Sequence, residues 1–430
     1  MFDSSRSLAN PLAPKADLGM NAALWITRAE VAVTQPFSSD PRGSRATRSS
    51  FAPMINSATV TLPGRLGDPT LELRTDPRSD PRMLALFAPF GLDVTAADLP
   101  VHRGSPLDDL LAAALAAEQA FTGVFAALLS AVPDPDGVDT RVETITGVDG
   151  NQITLYVDRP SGTQGRLPGL LHLHGGGMAI LQADTAAAWR RQLAGRGCVV
   201  VGVEFRNAGG ALGPHPFPAG LNDCASALDW MHDRRDELGI STIVVTGESG
   251  GGNLSLATAL KAKRENRLDR IDGVYAQVPF IFGGYDDPDP ALPSLVENEG
   301  YFIGPSVMTL MAALYDPEGR HGTDPLAWPY FATAEDLVGL PPHVITTDEL
   351  DPLRDEGLAY LRALQKAGVQ ASGHVYNGVG HAGELLAAAA VPDLFDRAAR
   401  DVVAFAHSTS RWFKSVSEGG LEPPRPLIGH

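Results

Sequence analysis

Three side chains and one glycine run in this sequence have the types and settings needed to attack a carbonyl group. Ser249 lies in Gly247-Glu248-Ser249-Gly250-Gly251, between the β-branched run Ile243–Thr246 and the helix-forming run Leu254–Lys261. A G-x-S-x-G turn between a strand and a helix holds its serine hydroxyl up at the strand end, and the glycines two before and two after it relieve backbone crowding. The positive end of the following helix then lies where negative charge would develop during attack. An activated serine also needs a base, a group that orients the base, and donors for the oxyanion. The base candidate is His381, in the glycine-bracketed loop Asn377-Gly378-Val379-Gly380-His381-Ala382-Gly383. Imidazole as a class changes charge near neutrality, so it suits proton transfer from a serine. The orienting candidate is Asp351, in the stretch 348–357 after another predicted strand. Five acids crowd that stretch; Asp348 is the main competitor, and Pro352 makes Asp351 resemble a helix cap as well. The donor candidate is His174-Gly175-Gly176-Gly177, which ends an apolar strand and supplies backbone N–H groups opposite the N–H of Gly250.

These groups are far apart in the chain, so the elements between them must bring them together. From about residue 139 the sequence alternates between strand and helix patterns. Predicted strands are Arg141–Val148, Gln152–Asp158, Leu167–His174, Cys198–Phe205, Ile243–Thr246, Gly273–Pro279, His343–Thr347 and Gly373–Asn377. Predicted helices span 184–195, 219–238, 251–266, 305–315, 354–368 and 392–407. The first two strands form a hairpin about Asp149-Gly150-Asn151, and the later ones are each followed by a helix, which predicts a mostly parallel α/β sheet covered on both faces. Before it, residues 68–132 carry a helical pattern. Within that region a helix opens at Pro106 with Ser105 as a possible cap and runs through Phe121, Phe125 and Leu128, either as a core helix or as a cap over a site. Residues 1–53 read as a poorly ordered extension, with a functional start at Met20 or Met54 as one expectation, and residues 410–430 read as a tail without periodicity. The organisation expected is therefore an extension over 1–53, a helical region over 54–135, a catalytic domain over 136–409 and the tail.

Composition narrows the function. The 34 basic and 51 acidic residues give a formal charge of −17, which disfavours nucleic acid and anionic membranes as partners. Cys198 and Cys224 are the only cysteines, without metal-ligand spacing, and read as two buried thiols. No signal pattern opens the sequence and no uninterrupted run of about 18 apolar residues occurs, so a cytoplasmic protein without stable membrane insertion is expected.

The HGGG run at 174–177, GESGG at 247–251, DPLRDEG at 351–357 and GVGHAG at 378–383 together resemble the hormone-sensitive-lipase-like family of α/β-hydrolases, the bacterial family IV carboxylesterases. The resemblance covers roughly 70–408. It implies an α/β-hydrolase fold with an eight-stranded, mostly parallel sheet and an N-terminal helical cap. It also implies Ser249, Asp351 and His381 as a triad, and Gly176, Gly177 and Gly250 as oxyanion donors. His174, Gly175, Gly247, Glu248 and Gly251 become supporting motif residues, with His174 orienting the glycine loop. The implied activity is cofactor-free hydrolysis of small to medium carboxylic esters through an acyl-enzyme, by a monomer or homodimer. The alternatives are an amide, lactone or peptide hydrolase with the same triad, or a non-catalytic receptor like the gibberellin receptors, which share the fold. Two departures from the family pattern stand out. Gly250 replaces the usual alanine, expected mainly to alter local stiffness, and Phe205-Arg206-Asn207-Ala208-Gly209-Gly210 replaces a tyrosine-arginine-leucine-alanine-proline-glutamate run beside the pocket. The aromatic-rich segment from Phe280 to Ile303 is either ordinary packing or part of an acyl or alcohol pocket.

Overall fold

In a computed structural model of the chain, residues 62–417 are described, with side chains to 409. The expectations for 1–53, for a start at Met20 or Met54 and for 418–430 lie outside these residues. Eight strands form one sheet: β1 Val138–Thr146, β2 Gln152–Pro160, β3 Leu167–Leu173, β4 Val199–Glu204, β5 Ile240–Glu248, β6 Gly273–Gln277, β7 His343–Asp348 and β8 Ala371–Tyr376. Their spatial order is β1-β2-β4-β3-β5-β6-β7-β8. The hairpin β1–β2 is antiparallel, β2 also runs antiparallel to β4, and every later pairing is parallel.

The central strands show why the sheet needs cover on both sides. Val199–Val203 and Ile243–Thr246 are buried at every position, so residues pointing to either face are removed from water. The longer helices are α1 Pro81–Phe87, α2 Leu107–Leu129, α3 Ala187–Gly195, α4 Ala219–Asp233, α5 Gly250–Arg264, α6 Pro305–Tyr315, α7 Arg354–Lys366 and α8 Pro392–Ser417. Of these, α4 packs on α5, and α3 packs on α8. Cys198 and Cys224 are free and buried, and burial raises both thiols above their ordinary range.

Three expectations are corrected. The last helix continues to Ser417, well past 407 and into the stretch assigned to a tail. Residues 68–132 are helical chiefly in α1 and α2, because Gly91, in the left-handed region, and Pro100 break the pattern between them. Ser105 does not cap α2: its hydroxyl accepts from the His102 N–H at 3.0 Å, and Pro106 stands at the cap position. By length and composition α2 is also apolar enough to cross a membrane, with 23 residues and a mean hydropathy of 1.5. The acids Asp108, Asp109 and Glu118 had interrupted any such run in the sequence. Leu107 and Leu115 on this helix are exposed.

At the start of β7, His343 is buried and its Nδ1–H donates to the Pro341 carbonyl at 2.7 Å. Burial lowers this imidazole to about 4 from an ordinary value of 6.5. A base depressed in the folded state contributes stability above about 6.5, and that contribution is lost as pH falls through about 4. His343→Gln is therefore expected to flatten the acid side of the stability profile. Between pH 6.5 and 4 its melting temperature should fall less than that of the parent, by on the order of several °C, in thermal denaturation followed by circular dichroism.

Candidate active site

The serine turn is built by close backbone contact. At the end of β5 the backbone of Ser249 turns to φ 57° and ψ −118°, a conformation that non-glycine residues rarely adopt. Its N–H donates to the Gln277 carbonyl at 2.9 Å, and its carbonyl accepts from Asn253 and Phe280, so the strained residue is held from both neighbouring directions. A Cβ on Gly251 would lie 1.8 Å from the Leu173 carbonyl oxygen, and one on Gly247 would lie 2.3 Å from the same atom. Both glycines are thus demanded by the end of β3 pressing on the turn.

That same contact brings in the glycine loop. Gly176 has φ 107° and accepts from the Ala179 and Ile180 N–H groups at 3.0 Å. Among the described residues, the N–H groups of Gly176, Gly177 and Gly250 donate to no protein acceptor. A Cβ on Gly250 would lie 2.6 Å from the Gly177 nitrogen and 2.7 Å from the Met178 nitrogen. Gly250 therefore does more than alter stiffness, which corrects the expectation: it lets the glycine loop approach the first turn of α5.

Glu248 ties the loop from below. Its carboxylate accepts from the Gly175 N–H at 2.8 Å and faces His172 Nε2 at 3.0 Å. Burial raises this carboxyl, but the His172 ring and the Gly175 N–H more than offset it and hold the group below the ordinary glutamate range. His174 donates from Nδ1 to the Gly175 carbonyl at 2.8 Å and stacks on Phe205 with centroids 4.1 Å apart. Burial lowers it to about 4, so near neutrality it is an uncharged structural ring. The departing run at 205–210 supports the loop through its backbone: Ala208 and Gly209 donate to the Met178 and Ala179 carbonyls, each at 2.9 Å.

His381 follows β8 and Asp351 follows β7, adjacent parallel strands, so both side chains emerge at the same end of the sheet. His381 Nδ1 lies 2.8 Å from Asp351 Oδ2. With an ionised carboxylate accepting, Nδ1 carries the hydrogen and Nε2 is left with a lone pair. The other oxygen of Asp351 accepts from the Leu353 N–H at 2.9 Å, so one carboxylate both stiffens the turn into α7 and engages the imidazole. Asp348, the competitor, forms no hydrogen bond with His381; its Oδ2 accepts from the Gly383 N–H at 3.2 Å.

Ser249 and His381 line one cavity of ≈ 110 Å³ with the glycine loop. No hydrogen bond joins the two side chains, and such contacts commonly tighten only around substrate. The remaining lining is apolar apart from Thr185 and the engaged Glu248, with Phe121, Phe125 and Leu129 of α2 as one wall and Trp189 and Phe395 as another. This accounts for the aromatic stripe of α2, which continues the face of Leu110 and Ala114. Of the aromatic segment, Phe280, Phe302 and Ile303 line the cavity. Tyr285 and Tyr301 instead hydrogen-bond Glu356 and Asp76, so packing and lining divide the stretch.

Glu118 was not visible as a site residue in the sequence. It is buried in α2, where its two oxygens accept from the Leu181 N–H at 2.9 Å and the Ala211 N–H at 2.7 Å. One carboxylate thereby fastens the helix to the segment following the glycine loop. The available signal was a charged residue in register with the apolar series Leu110, Ala114, Phe121 and Phe125. Among the described residues, no cluster of three or more His, Cys, Asp and Glu side chains is disposed to hold a metal ion.

A family model described as the alpha/beta hydrolase fold matches residues 170–384, from β3 to just beyond His381. The chain is 49% identical, with a TM-score of 0.80, to the structure of brefeldin A esterase, described as a bacterial homologue of human hormone-sensitive lipase. That similarity covers 82% of this chain and 99% of the other. The chain belongs to the hormone-sensitive-lipase-like family of α/β-hydrolases. Among further members of this family, carboxylesterase NlhH of Mycobacterium tuberculosis is 34% identical over 240 residues, which are 54% of this chain and 72% of the relative. An arylesterase of Saccharolobus solfataricus is 34% identical over 219 residues, 50% of this chain and 67% of the relative. The family motifs thus fall on the elbow, the glycine loop and the two strand-end loops described above.

Gly250→Ala restores the residue usual in the family but inserts a methyl against the backbone of the glycine loop. It is expected to lower kcat by about tenfold, less than the 10²–10³ caused by losing a whole oxyanion donor, while the protein remains folded. Steady-state kinetics with a short-chain ester, accompanied by a thermal melt, would check this.

Proposed function

We propose that the chain is a serine carboxylesterase that hydrolyses neutral, apolar esters of small to medium size through an acyl-enzyme. The observation that carries the proposal is the hydrogen bond from His381 to Asp351 at the edge of a cavity lined by Ser249, Gly176 and Gly177, with the N–H groups of both glycines and of Gly250, next to the serine in the chain, unengaged. In this reading Ser249 Oγ attacks the ester carbonyl and His381 Nε2 takes its proton. Asp351 holds the imidazole in the required tautomer and stabilises the imidazolium. The three N–H groups receive the oxyanion, His381 returns the proton to the leaving alcohol, and water repeats the sequence on the acyl-enzyme. Ester hydrolysis is also the activity named for the relatives, which supports the reaction class.

The cavity supports the substrate class. Its walls offer aromatic and aliphatic side chains to both parts of an ester, and its only carboxylate besides the proposed machinery is committed to Gly175 and His172. A charged acyl or alcohol group would enter without a counter-charge, at substantial desolvation cost. Helix α2, with its aromatic face, acts in this reading as a cap that excludes water from the reacting carbonyl.

Ser249→Ala is expected to lower kcat by about six orders of magnitude and Asp351→Asn by about four. Labelling by a fluorophosphonate should disappear with Ser249→Ala. Undiminished turnover or labelling in that variant would remove the mechanism. A paired panel of neutral esters and carboxylate-bearing isosteres should show kcat/KM lower by at least about tenfold for the charged member, and equal rates would overturn the assigned substrate class.

A further inference from the structure

Behind the proposed triad lie two carboxyl groups for which the mechanism has so far given no use. Asp348 ends β7 and Glu384 follows His381 by three residues, and both are fully buried. Asp348 Oδ2 accepts from the Gly383 N–H at 3.2 Å, and Glu384 Oε1 accepts from Gln277 Nε2 at 3.4 Å. Asp348 Oδ1 and Glu384 Oε2 are buried without a hydrogen-bond partner, and the Gly383 N–H held by Asp348 adjoins Glu384 in the chain, so the two carboxyl groups share one dry region. Two ionised carboxylates there would be buried like charges without a counter-ion, and one proton held between them relieves that cost. Neither forms an ion pair with a lysine or arginine among the described residues. The titratable groups facing them are Tyr275 from β6, Tyr376 from β8, and Asp351 and His381 from the strand-end loops, with Asp401 of α8 farther out.

We propose that Asp348 and Glu384 share a single proton and serve as a positioning pair for His381. Asp348 is the protonated member and donates to Glu384, so the pair carries one negative charge. That charge, with Asp351, faces the imidazolium that forms in the transition state, while Asp348 Oδ2 anchors the His381 loop through the Gly383 N–H. Burial, followed by the nearby Glu384 and Asp351 carboxylates, pushes the Asp348 carboxyl well above the carboxylate range, in keeping with its assignment as the proton holder. The sharing explains how two further acids are tolerated beside Asp351 without a buried cation. This inference rests on His381 being the base.

The test compares the parent with Asp348→Asn and with the double variant Asp348→Asn, Glu384→Gln, using pH profiles of kcat on a neutral ester. The single variant replaces a protonated acid by a neutral donor and keeps the pair's charge. It should leave the acid limb in place, with kcat lowered about two- to threefold. The double variant removes the charge. Its acid limb should move to lower pH by about one unit, because imidazolium is less stabilised, and kcat should fall by about tenfold. A double variant whose acid limb coincides with that of the parent overturns the proposal, as does a single variant whose limb moves as far as the double. If the parent itself has no acid limb, the assignment of His381 as base fails together with this inference. If it has one that neither variant moves, only the pair fails. Should the double variant not fold, the infrared difference spectrum of the parent against Asp348→Asn supplies the second measurement. A protonated-carboxyl C=O band lost on substitution is expected at neutral pH, and its absence from the parent overturns the shared proton.

Discussion

The site depends on how closely one carbonyl group, that of Leu173, can approach a turn in the neighbouring strand. β3 and β5 are parallel neighbours, so the loop after one and the elbow after the other leave the sheet side by side. Gly247 and Gly251 remove every atom that would separate them, and Gly250 extends the contact to Gly177. The strain stored in Ser249 follows from this approach. It is held in place by hydrogen bonds to Gln277 of β6, Asn253 of α5 and Phe280 in the loop after β6, none of which is a reacting group.

A second theme is the use of buried carboxylates as backbone clamps. Glu118, Glu248, Asp351 and Glu356 each accept from at least one main-chain N–H that would otherwise be unpaired in the interior. A carboxylate with two oxygens can fix two segments at once, which a neutral side chain of the same size does less strongly. Glu356 shows the cost: burial pushes it up to about 8 even though Ile281, Phe282 and Tyr285 all donate to it. Its neutral form contributes stability below about 4.5, and that contribution is lost as pH rises through about 8, because the unfolded chain releases the proton first.

Much of this was legible in the sequence because the decisive features are local. The elbow, the glycine loop and the strand-end loops each occupy ten residues or fewer, and their spacing along alternating strands and helices fixes which end of the sheet they share. The β strands were predicted to within a few residues for the same reason, since buried β-branched runs and flanking glycines mark them. What sequence could not supply was the partner across space. Nothing near Glu118 in the chain points to Leu181 or Ala211, and nothing near Asp348 points to Glu384. The preference for Asp351 over Asp348 came from the family resemblance, whereas its 2.8 Å contact with a residue thirty positions away is no local feature of the stretch 348–357. The Gly250 departure was visible but misread, because its reason is a collision with a loop seventy residues earlier.

One wall of the cavity comes from Phe121, Phe125 and Leu129, which lie outside the matched stretch 170–384 that carries the elbow and both strand-end loops. Part of the cavity wall is thus encoded apart from the reacting groups, while Trp189, Phe280 and Phe302 lie within the matched stretch. Diversification confined to the inward side of α2, with Glu118 retained as its fastening, would reshape one wall of the cavity while leaving the elbow, the glycine loop and the two strand-end loops unchanged in sequence.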